Sequence, residues 1–200
     1  MNQVRTVEDL RRTVRAIANH FKTDEVVIVG SQAILVSKPG APREVRFSRE
    51  IDAYPANAGA WQAEHNVEAS EEINALFGYG SQFAKTHGFY IDGVDERTAM
   101  LPPDWRLRAA VRSENVDGRR VRVVAPGPED LIVSKLARLE DKDRDWIRAY
   151  RTRYAWNHDL IRKGLASLPL PAAKLEAALR FVSAVDRGPR GPKRDKGVEQ

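Results

Sequence analysis

Two hundred residues carry 33 Lys and Arg against 28 Asp and Glu, a net charge of +5, with 42% apolar and 30% charged residues. That length and balance supply one apolar core and exclude disorder of the whole chain. The absence of cysteine excludes disulfides, thiolate zinc sites and a cysteine nucleophile, and no window approaches the roughly 20 apolar residues of a membrane span. The expectation is a cytoplasmic protein with no membrane partner, whose modest cationic surplus suits polyanions such as nucleotides or RNA.

Leu10, Val14, Ile17 and Phe21 recur at helical spacing behind Thr6 and Asp9, which form a capping box with Asp in place of the commoner Glu. Val26 to Val29 is a β-branched run of strand length that ends on Gly30-Ser31. Gln32 to Val36 starts a helix that Lys38-Pro39-Gly40-Ala41-Pro42 breaks. Val45 to Tyr54 then alternates apolar and polar as a single second strand, stopped by Pro55.

Short helices over Glu68 to Phe77 and Ser81 to His87 lead to a third strand, Phe89 to Val94. Ala109 to Ser113 and Arg119 to Val124 flank the turn signal Asn115-Val116-Asp117-Gly118 and predict a hairpin. Four helical patterns close the chain, roughly Glu129 to Leu139, Asp143 to Tyr154, His158 to Leu168 and Ala172 to Val185. The predicted architecture is α+β: a small mixed β-sheet core flanked by helices over residues 1–125, and a C-terminal helical region, 126–187, packed on it. A basic tail, 188–200, rich in Gly, Pro and charge, has little to bury and is expected to be mobile.

Chemistry concentrates where the first strand ends at Gly30-Ser31 and where the second carries Glu50 and Asp52. Period two on a strand aims those two carboxylates the same way, close enough to share a hard divalent cation. Gly30 would let the backbone approach a phosphate, and Ser31 could donate to one. The competing reading of Glu50 and Asp52 is a pair of surface acids neutralised by Arg46 or Arg49. Asp92, before Gly93 on the third strand, reads on its own as an ordinary strand-end acid, with Asp95 as its substitute in any site role. The four histidines lack metal-ligand spacing, and Trp146, at helical spacing with Ala149 and Tyr150, reads as core.

A strand ending in Gly30-Ser31, a helix, and then Arg46-Phe47-Ser48-Arg49-Glu50-Ile51-Asp52 resembles the signature of the nucleotidyltransferase superfamily, with its polymerase-β-like fold. Within it the segment looks like the branch of abortive-infection nucleotidyltransferase toxins. A later stretch, Lys135 on a helix followed by Lys142-Asp143, is similar to the family's later motif. The resemblance implies Mg2+ or Mn2+ held by Glu50, Asp52 and Asp92, which are also the catalytic set, with Asp92 as candidate base. It assigns nucleotide binding to Gly30, Ser31, Arg46, Ser48, Lys135 and Asp143, with Lys135 reaching the phosphates as a point charge. One departure stands out: the family's first metal ligand is normally Asp, and this chain has Glu50.

The implied activity is transfer of a nucleoside monophosphate from a nucleoside triphosphate to an RNA, such as the end of a tRNA, or to a protein hydroxyl. The implied setting is a toxin with a cognate antitoxin or a phage-defence system. The alternative is a weakened or inactive module of the same fold that binds nucleotide, RNA or a partner protein.

Overall fold

The computed structural model describes residues 3–187, so the basic tail lies outside the described residues. Helix α1 (Val7–Phe21) opens on the expected capping box: Asp9 N donates to Thr6 Oγ1 at 3.1 Å and Thr6 N to Asp9 Oδ2 at 3.0 Å. Its apolar stripe, Leu10, Val14, Ile17 and Phe21, is buried. Ahead of it, β1 (Gln3–Val4) pairs antiparallel with β3 (Phe47–Ser48) as a two-stranded ribbon.

The main sheet has the order β5-β4-β2-β7-β6. Strand β2 (Glu25–Ile28) runs antiparallel to β4 (Glu50–Pro55) and parallel to β7 (Arg119–Ala125). Strand β5 (Tyr90–Gly93) runs parallel to β4, and β6 (Ala110–Val116) closes the other edge as a hairpin with β7. The strands of Val26, Ile51 and Ile91 are therefore neighbours. The hairpin turns at Asp117 and Gly118, both at positive φ (50° and 83°), the geometry that Asp-Gly favours between twisted strands.

One expectation needs correction. Val45 to Tyr54 is not one strand: Arg43–Arg46 forms a 3₁₀ turn, β3 leaves to pair with β1, and β4 starts afresh at Glu50. The cause is local. Val45 turns wholly into the core, and Ser48 Oγ accepts the Glu50 amide at 3.2 Å, giving that N–H a side-chain partner at the break.

Helix α2 (Ile34–Ser37) continues a 3₁₀ turn at Ser31–Ala33. Helix α3 (Ala58–His65) has no counterpart among the predicted elements, whereas α4 (Ala69–Phe77) and α5 (Gln82–His87) match theirs. The helical half comprises α6 (Pro128–Arg138), α7 (Asp141–Arg153), α8 (His158–Ala166) and α9 (Ala172–Arg187).

Alternation along the strands sorts residues onto two faces. Val26, Ile28, Ile51, Ala53 and Ile91 join a large core that continues through α1, α2 and α6 to Phe181 and Val182 on α9. Val27, Val29, Tyr54 and Val94 join a smaller cluster under Ala99, Leu101 and Trp105. Glu50 and Asp52 alternate with the core residues of β4, so they share the face of Tyr54. No helix among the described residues is long and apolar enough to cross a membrane.

Candidate active site

The cross-strand register of β4 and β5 builds the acidic side of the site. Glu50 lies opposite Tyr90 and Asp52 opposite Asp92, so a parallel pairing gathers three carboxylates that the sequence separates by up to 42 positions. They line a cavity of about 580 Å³ between the sheet and helices α6 and α7. Its wall carries Glu44, Glu50, Asp52, Asp92 and Asp145 against Arg49, Lys135, Arg138 and Lys142, five formal negative charges against four positive.

Asp52 is held at the end of β2 by a glycine. Gly30 has φ +61° and ψ −159°, a conformation almost confined to glycine, and a Cβ built on it would lie 1.5 Å from Asp52 Oδ2. The Gly-Ser motif thus makes room for the acid itself, a role that adds to the phosphate approach expected from sequence. The Asp52 carboxyl is pushed up to about 7, first by burial and then by the charges of Glu50 and Asp92, which outweigh the opposing Lys135 and Arg138. Asp92 is raised as well, by burial and by Glu50.

Glu50 has a partner that sequence reading missed. The Tyr90 hydroxyl donates a short hydrogen bond to Glu50 Oε2. Burial, with that bond and the adjacent Glu50 charge, pushes the phenol well above its ordinary range, so it stays protonated and remains a donor. The ring also meets the exposed Tyr79 edge-on at 5.8 Å.

The cationic side is organised by a fully buried carboxylate. Asp143 has no exposed surface and accepts from Arg138 at 2.7 and 3.2 Å and from Lys135 Nζ at 3.3 Å. Burial alone would raise its pKa, but the Arg138 hydrogen bonds and the two cations outweigh it and hold the carboxyl low. Lys135, only 2% exposed, is shifted down to about 8 by burial against the pull of Asp143. Its ammonium lies 4.8 Å from the Trp146 ring centroid and donates to Ser31 Oγ at 3.0 Å. Because Ser31 Oγ accepts from Lys135, its own O–H proton is left to point elsewhere.

The cavity therefore unites Gly30, Ser31, Ser48, Glu50, Asp52, Asp92 and Lys135. Asp143 stands behind the wall and orients Lys135 and Arg138. Arg46 is turned away: its guanidinium donates to the backbone carbonyls of Ala41 at 2.8 Å and Arg5 at 3.1 Å. Arg46 consequently makes no ion pair that would neutralise Glu50 or Asp52. Asp95, the substitute for Asp92, binds Arg97 and Thr98 in its own loop.

Arg138 and Trp146 belong to the site although the sequence pattern marked neither for it. Arg138 follows Lys135 by three residues on one helix face, a spacing that could have flagged it. Trp146 is buried as expected, with Nε1 donating to the Val45 carbonyl at 2.8 Å, and is also cavity wall.

Paired acids facing a cationic wall have donor chemistry suited to a hard divalent cation, since Asp52 is destabilised by its own neighbours. Among the described residues, however, no group of three or more His, Asp or Glu side chains stands close enough to grip one ion as it is. A family model described as nucleotidyltransferase of unknown function, DUF6036, matches residues 5–169, and the chain belongs to that family. No curated protein matches the chain, nor does any solved structure.

Proposed function

We propose that the chain is a magnesium- or manganese-dependent nucleotidyltransferase that moves a nucleoside monophosphate from a nucleoside triphosphate to an acceptor hydroxyl. The observation that carries this reading is Asp52, seated on Gly30 between Glu50 and Asp92 and facing Ser31 and Lys135 across one cavity. Five acids against four bases leave this wall without the surplus of positive charge that a triphosphate needs. Glu50, Asp52 and Asp92 are the residues that would hold the cation, which when bound neutralises phosphate charge and polarises the reacting phosphoryl group.

The remaining chemistry falls to the protein's own groups. Ser31, fixed by Lys135, offers its O–H to a phosphate oxygen, while Lys135 and Arg138 supply the positive field behind it. Asp92, whose raised pKa keeps it a competent proton acceptor, takes the proton of the attacking hydroxyl as pyrophosphate leaves. Ser48 frames the nucleotide from the cavity wall.

The acceptor is an RNA, such as a tRNA end, or a protein hydroxyl. The toxin role and a cognate antitoxin rest on the likeness of the Arg46 to Asp52 segment alone. Incubating the protein with labelled nucleoside triphosphates, magnesium and total RNA or protein tests the activity: label should enter one polymer, and no transfer with any of the four nucleotides would refute the enzyme. The spread of the three acids favours a second reading, a module that binds nucleotide without turnover. It predicts nucleotide binding in the same experiment with no label transferred.

A further inference from the structure

Glu50 stands where an aspartate would place its carboxylate closer to the strand, and its longer side chain is met by a tyrosine hydroxyl. The Tyr90 phenol, at the same register position on the adjacent parallel strand, donates to Glu50 Oε2. Both residues are partly buried, Glu50 lines the cavity, and the Tyr90 ring meets Tyr79 edge-on. Swinging the phenol ring away from Glu50 would alter its contact with the exposed Tyr79.

A carboxylate can offer a cation one oxygen or two. Calcium, with six to eight ligands, commonly takes both, whereas magnesium demands a small octahedron and takes one. A strong hydrogen bond to one oxygen draws off its electron density and fixes the plane of the carboxylate, so the free oxygen, Oε1, becomes the better donor. We propose that Tyr90 is a metal-selectivity residue: by engaging Oε2 it restricts Glu50 to single-oxygen coordination and biases the site toward magnesium and manganese over calcium. This rests on the reading of Glu50 and Asp52 as cation ligands.

The test is calorimetric or dialysis titration of the full-length protein with magnesium, manganese and calcium chlorides separately, comparing the parent with Tyr90→Phe and Asp52→Asn. Tyr90→Phe removes one oxygen and keeps the ring packing, and its melting curve verifies the fold. The parent should prefer magnesium, and Tyr90→Phe should shrink that preference about tenfold, mainly through tighter calcium binding. An unchanged preference in Tyr90→Phe, with parent binding still dependent on Asp52, overturns the selectivity role and leaves the proposed function standing. Parent binding that survives Asp52→Asn, or no divalent binding at all, overturns the cation site and the selectivity role together.

Discussion

The Cα of Gly30 faces the Asp52 carboxylate so closely that a Cβ there would fall 1.5 Å from Oδ2. Gly30→Ala must therefore both displace the acid and strain a backbone at φ +61°. We expect a loss of at least about 2 kcal/mol and near-abolition of transfer. In an Asp52→Ala background the same change should cost measurably less stability, because the carboxylate clash is gone and only the strain and a tight 3.3 Å contact with the remaining Cβ persist. Denaturant unfolding of the four proteins of this cycle checks it.

Asp52 also makes a pH signature. Its carboxyl ionises at 3.8 in its ordinary state and at about 7 in the fold, so between those limits the folded protein binds a proton that the unfolded chain has lost. Stability of the metal-free protein should fall as pH rises from about 4 to about 7 and level off above. Asp52→Asn removes this slope and should melt a few degrees higher than the parent at about pH 8 without metal. Saturating magnesium should raise the parent alone. A structural ion pair at Asp52 demands the reverse, with the Asn protein less stable at neutral pH.

Asp143 and Lys135 should separate stability from activity. Asp143→Ala strands a buried ammonium and half of a guanidinium, with an expected cost of about 3 kcal/mol. Lys135→Met leaves Asp143 paired with Arg138 and keeps the packing on Trp146, so it should cost far less stability while transfer falls by about 100-fold or more. Thermal melts and label transfer, read on both proteins, decide whether Lys135 serves the site or only the core.

Arg46 provides a contrast. Its guanidinium is committed to the carbonyls of Ala41 and Arg5, so Arg46→Met should lower stability by about 2 kcal/mol and leave triphosphate affinity unchanged. Affinity that falls tenfold or more with stability intact would mean that Arg46 turns toward bound nucleotide.

What was legible in the sequence followed local periodicity. The stripe of α1 with its Thr6–Asp9 cap, the β-branched run of β2 and the Asp-Gly hairpin are each encoded within a few residues. Helix α3 was not legible because it buries no residue completely and so shows no apolar stripe. Within the site, Glu50 and Asp52 announce themselves by spacing along one strand. Tyr90, 40 residues further on, meets Glu50 only through the register of two parallel strands, and no local signal encodes that pairing. The seat that Gly30 makes for Asp52 was hidden for the same reason, and Ser48 ended the second strand's continuity with a hydrogen bond that alternation does not reveal.

The indole of Trp146, on the helical half, is anchored to the carbonyl of Val45, just ahead of the acidic strand, and lies beneath Lys135. A chain severed between Ala125 and Pro126 would give two fragments, each exposing part of one continuous apolar interior and each holding only part of the site. Neither should support catalysis alone, and recombining them should restore the cavity and the interior in a single concerted step. Trp146 is placed to report that union: a blue shift of its fluorescence on mixing would mark the moment at which acids and cations come to face one another.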